Sequence, residues 1–253
     1  MPVTVGNALS LERQVLPGLP NPVAKRQLIR DDFTVGDIFA TKLTSSVDPD
    51  CIVAVFHGNM EDFAATQRTW RRLKSNCLVG FEYPGYGWRA AEVPTQAGVL
   101  ADIPRQVSYL KDLKGEGRVV VVGRSLGTFA ALHLAVALGP ARCAGLLLVS
   151  PMLTAIATKV PPPFHRALAF ADYLDNESTA KMLDPTIPVL IVHGAADVVV
   201  PVSNARALCK IMPHANYLEL PELHHNDVMN SEDAWETMLQ YRNRWSKEAA
   251  PLT

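Results

Sequence analysis

Charge is scarce in this chain: Asp, Glu, Lys and Arg together make up 19% of its 253 residues, below the quarter or so usual in soluble globular proteins. The 24 basic side chains against 25 acidic ones leave a net charge of −1. So nearly neutral a surface has no field with which to gather a polyanion, so nucleic acid is not an expected partner. Long apolar runs are missing as well. The longest, around Val119 to Val122 and Gly145 to Val149, have the length of strands and fall far short of the ~20 residues that cross a bilayer, so no transmembrane segment is expected. Cysteine is sparse and unpaired. Cys51, Cys77, Cys143 and Cys209 form no Cys-x-x-Cys pair and sit in apolar surroundings, which speaks against a metal site and predicts buried thiols. The opening residues have neither the basic stretch nor the apolar segment of a secretory leader, and Pro2 stands where N-myristoylation requires glycine. The expected compartment is the cytoplasm.

What is present is enough apolar material for a sizeable core, 48% of residues. It comes in short runs such as Cys51 to Phe56, Cys77 to Phe81, Val119 to Val122, Leu146 to Val149 and Val189 to Val192, separated by helical patterns and followed by a further strand pattern at Tyr217 to Leu220. Strands apolar on both faces and alternating with helices predict an α/β fold, a mostly parallel, doubly wound sheet covered on both sides. No repeat or linker divides the chain, so residues 1–253 read as one α/β domain. Pro2, Pro17, Pro20 and Pro22 make residues 1–30 an expected extended arm. Phe33 to Leu43 alternates about Gly36-Asp37, the pattern of a hairpin or a pair of edge strands. Residues 152–184 form an insertion between two strands, with Pro161-Pro162-Pro163 followed by a mostly apolar run, and are expected to form a lid or cap.

The chemistry is concentrated at strand ends. Gly123-Arg124-Ser125-Leu126-Gly127 lies between a strand of four valines and an apolar helix, the setting of a Gly-x-Ser-x-Gly nucleophile elbow. A turn that exposes the serine strains the backbone, and glycines on either side remove side chains that would collide. Such a hydroxyl needs a base to take its proton and an acid to orient the base. Downstream, Asp197 lies beyond the strand Val189 to Gly194, and His224-His225-Asn226-Asp227 follows the next strand. The order Ser, Asp, His with each at a strand's C-terminal end is that of the α/β-hydrolase arrangement.

These stretches carry a recognisable likeness. Phe-His-Gly-Asn (Phe56 to Asn59), Glu-Tyr-Pro-Gly-Tyr-Gly (Glu82 to Gly87), Gly-Arg-Ser-Leu-Gly-Thr (Gly123 to Thr128), the segment Val189 to Pro201 and His225-Asn226-Asp227 resemble, in order, the serine hydrolases of the α/β-hydrolase superfamily, in particular the branch that includes the animal protein depalmitoylases. The resemblance implies an α/β-hydrolase fold with Ser125 as nucleophile, Asp197 as acid and His225 as base. His225 is preferred to His224 because it carries the Asn-Asp that follows the base in relatives. It further implies an oxyanion hole from the N–H groups of Leu126 and Asn59, and no metal or organic cofactor. His224, His193 and His133 are expected to be structural, and Tyr83 to Gly87 a structural loop near the pocket. The insertion would cover the acyl side, with Phe164, Leu168 and Phe170 lining it or packing as an ordinary helix.

The expected reaction is hydrolysis of carboxylic esters or acyl thioesters, small or protein-borne, through an acyl-enzyme. A peptidase or transacylase would use the same residues, and a binding or scaffold protein is the rival from another class. The pattern leaves the oligomeric state open. Two departures weaken a membrane-bound role and blur the local pocket: no cysteine occurs in the first fifty residues, where the depalmitoylases carry a cluster, and Trp88-Arg89 stands where relatives have a small serine.

Overall fold

Aliphatic and β-branched runs flanked by glycine and polar turns become strands, and amphipathic stretches between them become helices, in the computed structural model of the protein, which describes residues 33–35, 40–44, 51–75, 77–113, 117–159 and 173–248. Two short strands come first, β1 (Phe33–Val35) and β2 (Ala40–Thr44). The turn expected at Gly36-Asp37, the arm expected over residues 1–30 and the middle of the insertion, 160–172, lie outside the described residues. Then follow β3 (Ile52–Phe56), α1 (Phe63–Trp70), β4 (Cys77–Phe81), α2 (Gln96–Asp112), β5 (Val119–Arg124), α3 (Gly127–Arg142) and β6 (Cys143–Val149). The series ends with α4 (Ala155–Lys159), α5 (Asn176–Met182), β7 (Val189–Gly194), α6 (Ser203–Ile211), β8 (Asn216–Leu220) and α7 (Glu232–Glu248).

The strands form one sheet in the order β1-β2-β4-β3-β5-β6-β7-β8. β2 runs antiparallel to β1 and β4, and every pairing from β4 through β8 is parallel. Alternation along each strand divides the core in two. Ile52, Ala54 and Phe56 of β3 and Val119 and Val121 of β5 pack with α2 and α3 on one face. Val53, Val55, Val120 and Val122 face Phe63 and Trp70 of α1 and Trp235, Met238 and Trp245 of α7 on the other. Packing on that second face is close enough to dictate residue size. A Cβ built on Gly145 would lie 2.3 Å from the Trp245 ring, and one on Gly80 2.0 Å from Phe63. Trp70 and Trp235 meet edge to face at 5.8 Å, with the Arg72 guanidinium 4.9 Å above the Trp235 ring; burial of this size means that removing either indole should cost about 3–5 kcal/mol.

Details at element ends follow local chemistry. Asp62 caps α1 by accepting from the Ala65 N–H at 2.7 Å, and Thr95 caps α2 through the Gly98 N–H. Helical dihedrals in α3 stop at Gly139 (φ 64°), just before Pro140, where the sequence pattern ends at Leu138. One expectation is corrected: Cys51, Cys77 and Cys143 are buried thiols outside any disulfide, but Cys209 is partly exposed, because α6 flanks the edge strand β8. Burial pushes the Cys143 thiol up to about 12. No helix among the described residues is long and apolar enough to cross a membrane.

Candidate active site

A doubly wound sheet opens a crevice where consecutive connections leave in opposite directions. Here β3 is followed by β4 on one side and β5 on the other, so the crevice lies beyond the C-terminal ends of β3 and β5. Register aligns those ends: Phe56 is level with Phe81 and Gly123, and Arg124 is level with Val149. The next residues, His57-Gly58-Asn59 and Ser125, therefore share one rim.

At that rim Ser125 adopts φ 51°, the left-handed region, which costs an L-residue roughly 1–2 kcal/mol. The surroundings hold it there. Its N–H donates to the Val149 carbonyl at 2.8 Å, and its own carbonyl accepts from the Thr128 N–H at 3.0 Å and the Thr128 hydroxyl at 2.6 Å. A Cβ on Gly123 would lie 2.6 Å from Ala131 Cβ, and one on Gly127 2.3 Å from the Phe56 carbonyl oxygen. The elbow thus fits only if both flanking positions are glycine. Leu126 caps α3, so its N–H is among those at a helix start without an intrahelical acceptor.

The hydroxyl so presented has a nitrogen beside it. Ser125 Oγ lies 3.0 Å from His225 Nε2, and His225 Nδ1 lies 2.7 Å from Asp197 Oδ2. All three residues are buried, with relative exposures of 7% for Ser125, 8% for His225 and 5% for Asp197. A carboxylate only accepts, so Nδ1 carries the proton, and the Nε2 lone pair faces the hydroxyl. The other Asp197 oxygen accepts from the Val199 and Val200 N–H groups, both at 2.9 Å. Burial pushes the Asp197 carboxyl up, but hydrogen bonds from His193, His225 and the Val200 N–H outweigh it and hold the group well below the usual carboxylate range. His193, expected to be structural, places Nε2 3.3 Å from Asp197 Oδ2 and 2.9 Å from the Val200 carbonyl, so it packs within the carboxylate's surroundings. His224 is exposed and bonds Asp227 through its backbone N–H. His133 packs on Phe129 and Thr179.

Sequence reasoning missed what stands under the other side of the crevice. Buried His57 donates from Nδ1 to the Gly58 carbonyl at 2.8 Å and from Nε2 to the carboxylate of buried Glu82. Burial pushes the His57 ring down, yet Glu82, the Gly58 carbonyl and Glu61 overcome this and raise it above the ordinary imidazole value. Tyr83 donates to the His57 carbonyl at 2.9 Å, and Tyr86 donates to Asn59 Oδ1 at 2.7 Å. The Glu82 to Gly87 segment is thus the cradle of the His57-Gly58-Asn59 loop. Strand register was the available signal: residues following Phe56 and Phe81 must be neighbours. Arg89, at the departure from relatives, is buried between Asp102, Glu92 and the Glu82 carbonyl, so it braces this cradle.

The distal described end of the insertion is tied to the elbow helix, to α2 and to its own proximal end. Asn176 donates to Thr128 Oγ1 at 3.2 Å and to the Met152 carbonyl at 2.8 Å, and the Leu174 N–H donates to Gln96 at 2.6 Å. Phe164, Leu168 and Phe170, expected on the acyl side, lie outside the described residues.

Comparison with known proteins places the chain in a family and supports its fold. The family model described as serine aminopeptidase, S33, matches residues 47–174. Alpha/beta hydrolase domain-containing protein 17C of Mus musculus is 27% identical over 178 residues, covering 68% of this chain and 53% of the relative; the chain spans about half the length of the relatives it matches. An esterase of Pyrococcus furiosus superposes with a TM-score of 0.66 at 14% identity, over 91% of this chain and 98% of the other. Est1E from Butyrivibrio proteoclasticus with ferulic acid bound gives 0.61 at 19% identity, over 83% and 94%. At these identities the two structures speak for the fold.

Proposed function

The chain belongs to the serine aminopeptidase S33 family, within the α/β-hydrolase superfamily, and from that premise we propose that this hydrolase cleaves carboxylic esters and acyl thioesters through a Ser125–His225–Asp197 triad. The observation that carries the reading is the unbroken contact Ser125 Oγ, His225, Asp197, at 3.0 and 2.7 Å, at the sheet's crevice. His225 Nε2 takes the hydroxyl proton as Oγ forms a bond to the acyl carbon. The carbonyl oxygen then becomes an oxyanion, held by the N–H groups of Leu126 and Asn59, each such donor contributing about 3–4 kcal/mol. Collapse breaks the bond to the alcohol or thiol, which leaves with the proton from His225. Water then repeats the sequence on the acyl-enzyme, its proton passing through the same imidazole and back to Ser125, releasing the acid. Asp197 fixes the tautomer and balances the imidazolium.

Buried thiols at Cys51, Cys77 and Cys143, none of them in a disulfide, fit a reducing compartment such as the cytoplasm. The likeness to protein depalmitoylases makes an acyl thioester on a protein a substrate to set beside small esters. The test is labelling by a fluorophosphonate, native against Ser125→Ala, followed by turnover of p-nitrophenyl esters of increasing chain length, an acyl-peptide thioester and a peptide p-nitroanilide. Labelling lost in Ser125→Ala and ester or thioester turnover faster than anilide turnover are the expected results; an unlabelled native protein, or anilide cleavage alone, would refute the proposal.

A further inference from the structure

We propose that Arg124 is a positioning residue for this reaction: its single guanidinium ties the loop bearing Asn59 to the loop bearing His225 and holds both in reach of Ser125. The inference rests on the triad reading above. Arg124 is the last residue of β5, and its side chain is 7% exposed. Nη1 pairs with Glu61 Oε1, and Nη2 donates to Asn226 Oδ1 at 2.6 Å. The second Glu61 oxygen accepts from the Gly58 N–H at 2.8 Å. Each point of attachment is one residue from a group of the proposed machinery: Gly58 precedes Asn59, Arg124 precedes Ser125, and Asn226 follows His225. These three segments are far apart along the chain and meet on one planar cation.

The choice of arginine is chemical. Two donors in a rigid fork can serve a carboxylate and an amide oxygen at once, whereas the point charge of lysine cannot hold both in fixed relation. Burial of the cation is balanced by Glu61, so removing either partner strands the other. Small displacements matter here, because a misplacement of roughly 1 Å can slow a reaction about a hundredfold. A cavity of about 280 Å³ lies against the clamp, bounded by Glu61, Arg124 and Asn226 with Trp70 and Met229. Truncating Arg124 would therefore leave a hole open to space that a small planar cation can enter.

That makes chemical rescue the experiment. Arg124→Ala is expected to lose about tenfold or more in kcat for a p-nitrophenyl ester with KM within about twofold, and guanidinium chloride at a millimolar, non-denaturing concentration should restore part of it. Sodium chloride at equal ionic strength should not, and Arg124→Lys should remain impaired. Asn226→Ala, at an exposed position, cuts only the limb to His225; it should lower kcat without rescue by guanidinium, and adding it to Arg124→Ala should cost little more. Unchanged kcat in Asn226→Ala, a loss in Arg124→Ala confined to KM, or recovery with sodium chloride as great as with guanidinium would overturn the inference. If Arg124→Ala does not fold, Asn226→Ala decides alone. Fluorophosphonate labelling of native protein but not Ser125→Ala keeps a failure of the clamp distinct from a failure of the triad.

Discussion

Asp197→Asn is the most discriminating change, because the surroundings dictate how the amide must sit. Asp197 Oδ1 accepts two backbone N–H groups, from Val199 and Val200, at 2.9 Å each. Those backbone N–H groups are fixed donors that an amide NH₂ cannot face, whereas an imidazole can change tautomer, so the asparagine carbonyl takes that side and its NH₂ takes the place of Oδ2, 2.7 Å from His225 Nδ1 and 3.3 Å from His193 Nε2. Nδ1 must then accept, and the imidazole proton moves to Nε2, 3.0 Å from Ser125 Oγ. A protonated Nε2 cannot take the hydroxyl proton, and the imidazolium of the transition state loses its counter-charge. In serine proteases this wrong-tautomer state costs about 10⁴-fold in kcat, equivalent to ~5.4 kcal/mol at 1.36 kcal/mol per decade. The turn bonds survive, so the thermal midpoint should stay close to native, whereas Asp197→Ala, which loses them, should be less stable. Steady-state p-nitrophenyl ester turnover with calorimetry measures both. A loss below about tenfold in a folded Asp197→Asn protein would refute the tautomer argument.

Other consequences are directly measurable. Ser125→Gly should melt higher than Ser125→Ala, since both lack the hydroxyl but only glycine occupies φ 51° without strain; the expected gap is about 1 kcal/mol by denaturant unfolding. Gly127→Ala places a methyl 2.3 Å from the Phe56 carbonyl oxygen and should destabilise by about 1–3 kcal/mol, with ester turnover lost because the elbow must shift. The raised pKa of His57 means that the folded state holds its proton more tightly than the unfolded one. Its contribution to stability is therefore complete below the ordinary value of ~6.5 and is lost as pH rises through the higher folded value. Thermal midpoints should fall over that window in the native protein, and this part of the slope should vanish in His57→Gln.

The central sheet and its polarity were legible because β3 through β7 are apolar on both faces and end in glycine or a polar turn, the pattern of a covered parallel sheet. Ser125 was legible for the same kind of reason: the two glycines beside it report clashes with Ala131 and Phe56 that no other residue avoids. The supports were less so. His193 reads as one more residue of a buried strand, and nothing in Val189 to Gly194 says that its ring reaches Asp197. Arg124 occupies the variable position of the elbow, where periodicity assigns no partner, and its bonds to Glu61 and Asn226 depend on loops whose path the pattern does not encode.

Part of this could still be recovered from topology. In a parallel sheet with strands in register, residues following level positions converge, so Phe56 paired with Phe81 places His57 beside Glu82, and Phe56 paired with Gly123 sets the loop of Gly58 and Asn59 near Ser125. The Glu82 to Gly87 segment then supports the neighbouring loop through carboxylate and phenol contacts. The reacting groups of the proposed site lie on loops, which are soft, but each loop is held by a buried polar side chain anchored at an adjacent strand end. That arrangement carries the rigidity of the sheet out to the rim, where a hydroxyl, an imidazole and two N–H groups have to agree in position before any carbonyl arrives.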